Sequence, residues 1–137
     1  MTAYKPFRFV VRGFLKNDAG HVLMMRRSSL SKSFPGSWEL PGGKVDKGEH
    51  FADSLVREFK EEAGLDVVPQ KVLTAFDWEF PEHKTAYLLL SVQASSFNVQ
   101  MSDEHEAFQW MNPDELKNAH ISAPLIGFFN NFVFSRP

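Results

Sequence analysis

The sequence predicts an α+β fold: one domain in which a mixed β-sheet is packed with helices. Three observations predict it. The chain has 137 residues, room for a single core. Several short alternating or β-rich stretches are separated by turn residues, and one longer stretch carries its apolar residues at helical spacing. With 43% hydrophobic and 23% charged residues, the composition is that of a folded domain rather than a disordered chain. No internal repeat, low-complexity tract or linker divides it, so the domain is expected to span residues 1–137.

The elements follow in order. Residues 7–16 and 21–27 alternate loosely between apolar and polar, with Asn17-Asp18-Ala19-Gly20 between them, and predict a β-hairpin. Residues 28–37, rich in Ser, Pro and Gly, form a loop that leads through a short strand at Trp38-Glu39-Leu40 into a sharp turn at Pro41-Gly42-Gly43. Over residues 50–63 the apolar Ala52, Leu55, Val56, Phe59 and Ala63 recur at helical spacing, and Gly64 stands where a left-handed cap belongs. Strands are expected at residues 71–80 and 85–94, separated by Pro81-Glu82-His83-Lys84, and again at residues 108–111. Asn112 as cap and Pro113 at the first helical position open a short helix to Asn118. A last helix is expected over residues 124–134.

A net charge of −2 removes the broad attraction that draws proteins to polymeric nucleic acid or anionic membranes. Cysteine is absent, which excludes a disulfide framework and a thiolate metal site. Arg8 and Arg12 interrupt the apolar N-terminal stretch, so it does not read as a signal peptide, and no run is long enough for a membrane helix. A cytoplasmic location is the expectation. Most of the fourteen Phe and three Trp belong to a core. Phe34, Trp38, Phe76, Trp78 and Phe80 are the candidates to stack on a flat ligand.

At 100° per residue, Glu58, Glu61 and Glu62 fall within about a 100° arc, apart from Leu55, Phe59, Ala52 and Ala63. Like charges at these spacings destabilise a helix by a few tenths of a kcal/mol per pair, with only Arg57 and Lys60 at the flanks. A hard divalent cation fits such a cluster, since Mg²⁺ binds through a few carboxylates together with substrate phosphates. From the helix alone, a solvated acidic face fits equally well. The five His include no His-Glu-x-x-His or close pair, so they read as lone surface or core residues. P-loop, dinucleotide-binding and Gly-x-Ser-x-Gly patterns are all missing.

The segment 43–65, GKVDKGEHFADSLVREFKEEAGL, reads Gly43, five residues, Glu49, seven residues, Arg57-Glu58, apolar Phe59, any residue, Glu61-Glu62, any residue, Gly64, apolar Leu65. It resembles the Nudix box without a departure. The resemblance implies a MutT-like hydrolase whose mixed sheet is sandwiched between helices (α/β/α). Its expected activity is Mg²⁺- or Mn²⁺-dependent hydrolysis of a phosphoanhydride bond in a small-molecule nucleotide, with a nucleoside triphosphate as the default.

Carried over by position, the resemblance makes Glu58, Glu61 and Glu62 metal ligands, with the carbonyl of Gly42 beside them. Arg57 and Glu49 orient the carboxylates, and Gly43 and Gly64 are structural. The stretch Ser102-Asp103-Glu104-His105-Glu106-Ala107-Phe108-Gln109-Trp110 resembles the family's Glu-His segment, which points to Glu104, ahead of Glu106 and Asp103, as a further ligand or general base. Arg27, and after it Arg26, is placed to meet substrate phosphate. Ser122 stands where members that cleave 8-oxo-dGTP carry a purine-reading Asn, a departure that argues against oxidised guanine. Two other classes share the fold: a non-catalytic diphosphate-binding or sensor module, against which the intact box speaks, and an isoprenoid diphosphate isomerase, which needs a Cys this chain lacks. The oligomeric state stays open, and a homodimer is what the resemblance allows.

Overall fold

The computed structural model describes residues 5–134. In chain order the elements are β1 (Phe7–Leu15), β2 (Val22–Arg27), β3 (Trp38–Glu39), β4 (Gly42–Lys44), α1 (Phe51–Ala63), β5 (Val67–Glu79), β6 (Lys84–Ala94), β7 (His105–Met111), α2 (Pro113–Asn118) and α3 (Ala123–Phe128). A π-helical turn, Phe129–Phe134, continues α3. The strands form two sheets, a mixed one of order β4-β1-β6-β5 and an antiparallel one of order β3-β2-β7.

Successive side chains of a strand point to opposite faces, and here both faces are covered. Val11 and Leu15 of β1, Leu23 and Met25 of β2, and Leu90 and Val92 of β6 pack with Leu55, Phe59 and Ala63 of α1. Their neighbours Val22, Met24, Tyr87 and Leu89 turn the other way, onto Leu116, Leu125 and Phe128 of α2 and α3. The sheets are therefore sandwiched between helices, as expected. Gly13 allows the closest approach: a Cβ there would lie 2.3 Å from the Phe59 ring. Truncating the fully buried Phe59 to Ala should cost about 3–5 kcal/mol.

The helix predicted over residues 50–63 is α1, and Gly64 caps it at φ 68°, donating its N–H to the Lys60 and Phe59 carbonyls. The Asn112 cap is also present, as a reciprocal capping box with Glu115. The predicted hairpin is not. Asn17 makes the turn, its Oδ1 accepting from Ala19 and His21 N–H, but β1 and β2 share only the Lys16–Val22 bridge and enter different sheets. β1 instead pairs in parallel with β6 along its whole length. Local alternation marks a strand without choosing its partner, and a β1 buried on both faces is better covered in the middle of a sheet.

Three further strands differ from expectation. β5 begins at Val67 rather than residue 71, running through Pro69 on the sheet's edge with its register shifting at Pro69/Lys71, where a missing N–H is tolerated. β7 starts at His105 rather than residue 108. The Gly42-Gly43 turn is itself strand β4, paired with β1. Gly42 has φ 149°, and a Cβ there would meet the Val11 carbonyl at 2.1 Å, so only glycine fits.

Candidate active site

The three box glutamates share a face of α1 but not an environment. Glu62 is buried, Glu58 half-buried and Glu61 exposed. Glu62 Oε2 accepts a hydrogen bond from Gly42 N–H at 3.1 Å. The Glu58 carboxylate lies over Gly43, where a Cβ would stand 2.6 Å from its carbon. The double glycine thus lets backbone, rather than side chain, face the acids. Burial raises the pKa of Glu58. Burial also pushes Glu62 up to about 9, with Glu58 and Glu39 adding to it against the pull of Arg12.

Arg57 supplies part of the cation that the acidic face called for. Its Nε and Nη2 donate to the two oxygens of Glu49 at 2.9 and 3.1 Å, and its Nη1 reaches Glu58 and Glu61 at 3.2 and 3.1 Å. The hydrogen bond from Arg57 holds Glu49 down at about 2. One guanidinium thus gathers the carboxylates of Glu49, Glu58 and Glu61.

A second ion-pair system, absent from the sequence expectations, lies beneath the site. Arg12 of β1 is buried, donating Nη1–H to the Leu40 carbonyl at 2.9 Å, with Nη2 3.3 Å from Glu39 Oε1. Arg27 Nη1 binds the same Glu39 oxygen at 3.1 Å. Glu39 Oε2 meets His105 Nε2 at 2.9 Å, and His105 Nδ1 stands 3.5 Å from Glu62 Oε1 without a hydrogen bond. Although burial opposes it, Arg12, His105 and Arg27 hold the Glu39 carboxyl at about 2. The expectation that every His is a lone residue is corrected at His105, which is buried between two carboxylates. The only sequence signal was Arg12, set between the apolar Val10-Val11 and Gly13-Phe14-Leu15 of β1.

A cavity of about 560 Å³ brings together Arg27, Gly42, Glu58, Glu61, Glu62 and Glu104. Through Arg12, Arg27, Glu39 and Lys44 it adjoins a smaller cavity of about 210 Å³, walled by Phe34 and Phe80 and reached by Tyr87 and Ser122. Ser122 is buried with its hydroxyl 2.5 Å from Ser37 Oγ. Of the remaining expectations, Trp38 packs against the second core, and Phe76 stacks on Tyr87. Trp78 meets Phe34 edge-on. Arg26 turns to Gly36 O and Glu106, and Glu106 accepts from Ser29 N–H, so neither joins the box acids. Asp103 is exposed on the loop before β7. A larger groove of about 950 Å³, lined by Phe14, Leu73, Phe97 and Phe128 among others, holds none of the box acids, so size alone would misplace the site.

The donor set suits a hard divalent cation: carboxylate oxygens at several depths and a strand of glycine backbone beside them. The buried Glu62 and the half-buried Glu58 share one wall and gain from a cation between them. Among the described residues, no helix is long and apolar enough to cross a membrane.

A two-sheet sandwich whose acid-bearing helix faces a cleft beside a double glycine defines a class of small hydrolase. The NUDIX domain family model matches residues 6–129, and the chain belongs to that family as a Nudix hydrolase. It is 30% identical over 120 residues to the nucleoside triphosphatase NudI of Salmonella agona (strain SL483), a match covering 80% of this chain and 84% of that protein. The NudI of Escherichia fergusonii is 29% identical over the same shares. Among solved structures, the MutT protein from Methanosarcina mazei Go1 superposes with a TM-score of 0.87 at 30% identity, covering 96% of each chain. The E. coli ORF135 protein superposes at 0.75 with 26% identity, covering 97% of this chain and 95% of that one.

Proposed function

We propose that this enzyme hydrolyses a phosphoanhydride bond of a nucleoside triphosphate or a related nucleotide, using Mg²⁺ or Mn²⁺. The observation that carries the reading is the convergence of Glu58, Glu61, Glu62 and Glu104 with the Gly42 backbone on one cavity that opens past Arg27 and Lys44 into an aromatic-walled one. Acids for a cation, cations for phosphate and rings for a base follow one another in the order of the parts of a nucleotide. The names of the NudI relatives support the nucleoside triphosphate as substrate.

Glu58, Glu62 and the Gly42 carbonyl would hold the cation, with Glu61 nearer solvent. Bound there, a divalent ion supplies charge neutralisation on the phosphates and a more acidic attacking water. Glu104, at the rim, takes the proton of that water. Arg27, its guanidinium already fixed by Glu39, Ser31 and Ser33, offers a preorganised contact to a phosphate oxygen. Phe34 and Phe80 stack the base, and Ser122 presents a short hydroxyl to it. We place the reaction in the cytoplasm, on a free nucleotide rather than a polymer.

The test is release of phosphate or pyrophosphate from nucleoside triphosphates, nucleotide sugars and dinucleoside polyphosphates with Mg²⁺, Mn²⁺ or EDTA. Metal-dependent release that vanishes in Glu58→Gln is the expected result. Binding of these ligands with no turnover of any would replace hydrolysis by a sensor role.

A further inference from the structure

We infer that His105 is a nitrogen ligand of this divalent-cation site through Nδ1, with Glu39 as the carboxylate that holds its ring. The inference rests on the metal-dependent reading above and adds to it a ligand and a metal preference.

His105 is 8% exposed, and its Nδ1 is a buried polar atom without a hydrogen-bond partner. Native interiors rarely leave such an atom unpaired, and each exception calls for a reason. The other ring nitrogen shows what Nδ1 is. Nε2 lies 2.9 Å from Glu39 Oε2, while Glu39 Oε1 is engaged by Arg12 at 3.3 Å and Arg27 at 3.1 Å. A carboxylate between two guanidinium groups is charged and can only accept, so Nε2 is the donor on that side, and in the neutral ring that a metal ligand requires the lone pair lies on Nδ1.

That lone pair faces Glu62 Oε1 at 3.5 Å. Once Glu62 is ionised, as a metal ligand must be, two acceptors face each other across this gap, and a cation that both can reach removes their repulsion. Adjacent ligand atoms on an octahedral ion with bonds near 2.1 Å stand about 3 Å apart, so a small side-chain adjustment suffices. Oxygen or nitrogen atoms of Glu39, Glu62 and His105 all lie within 4.8 Å of one another. Glu39 is nonetheless the ring holder rather than a ligand, because both its oxygens are already engaged. A carboxylate that takes the second N–H of a metal-bound imidazole fixes its tautomer and orientation and raises its basicity.

The backbone is shaped for this placement. β2 and β7 shift register between Arg26 and Arg27, with Arg26 opposite Ala107 and Arg27 opposite His105, which leaves Glu106 as the extra residue of a bulge. Bulges re-aim side chains. Here Glu106 turns out toward Ser29 while His105 turns in toward Glu62. The consequence is chemical: an imidazole shifts an otherwise all-oxygen site away from Mg²⁺ and toward first-row transition ions.

The test uses the full chain loaded with Mn²⁺ alone. Electron spin echo spectra should show modulation from a directly bound ¹⁴N that disappears in His105→Asn, whose amide oxygen replaces the nitrogen. By calorimetry, the same variant should retain Mg²⁺ binding while losing its preference for Mn²⁺ over Mg²⁺. Glu39→Gln should weaken Mn²⁺ binding by about tenfold. Bound Mn²⁺ without nitrogen modulation in the wild-type protein overturns the inference and leaves the hydrolase reading standing, whether or not the variants fold. Failure to bind any divalent ion overturns both.

Discussion

Two arginines gather carboxylates from opposite sides of one site, and they do so in different media. Arg57 sits on α1 with 29% of its side chain exposed, in reach of Glu49, Glu58, Glu61 and Asp46. Arg12 comes up from β1 with 10% exposed and shares Glu39, itself 5% exposed, with Arg27. Around Arg57, water and salt can replace any lost partner, so each contact contributes little and the arginine acts mainly by orienting acids. Around Arg12 nothing can replace it, because removing one member of a buried pair leaves the other charge without solvent. The same two residue types therefore serve as an adjustable clamp in one place and a fixed foundation in the other.

The largest expected effect tests what both systems support. Glu62→Gln should lower kcat by orders of magnitude, while the metal-free variant melts above the wild type at pH 8 because the amide no longer resists burial. Steady-state kinetics and thermal melts in EDTA check the two halves, and unchanged turnover would remove Glu62 from the site. Next comes the foundation. Arg12→Met should cost about 3–5 kcal/mol in urea unfolding, toward the lower end because Arg27 still pairs with Glu39. A near-neutral result would dissolve the contrast between the two arginines.

The pH dependence sharpens the contrast further. The folded pKa of Glu62, about 9, lies above its ordinary 4.5. In metal-free protein the folded state keeps a proton that the unfolded chain sheds, so this contribution is full below 4.5 and is lost as pH rises toward 9. Glu39 runs oppositely: its folded value of about 2 stabilises above 4.5, and the gain is lost as pH falls through 2. Melting temperature in EDTA should therefore fall from pH 5 to pH 9, and Mg²⁺ should raise it more at pH 8 than at pH 5, where protons compete. A flat profile would contradict the burial of Glu62. The smallest effect belongs to the clamp. Arg57→Gln should move the melting temperature by a few degrees at most, and high salt should erase even that, while metal affinity falls because Glu58 and Glu61 lose their common donor.

Which parts of this site were legible in the sequence follows the same division. Arg57, Glu49, Glu58, Glu61 and Glu62 lie within one helix and the loop before it, and their spacing carries their geometry. Glu104 needed a resemblance to be noticed at all, and the structure places it on the cavity with the box acids. Arg12, Glu39 and His105 come from β1, β3 and β7, with no spacing that relates them. His105 read as a lone residue because its partners are 66 and 43 positions away in the chain. Arg26 and Arg27, adjacent and alike in sequence, point to different neighbours because a strand alternates and a bulge intervenes.

The sequence alone determined where α1 lies, where Gly64 ends it, how Asn112 starts α2 and which acids share a helical face. These are local matters, settled by a 3.6-residue period, by the φ that glycine tolerates and by hydrogen bonds that span a single turn. Only the tertiary structure decided that β1 leaves its hairpin neighbour for β6, that Gly42 becomes strand instead of turn, and that Glu62 loses its solvent while Glu61 keeps it. Those outcomes depend on which surfaces must cover one another, and burial of distant parts of a chain leaves no period in the sequence to read.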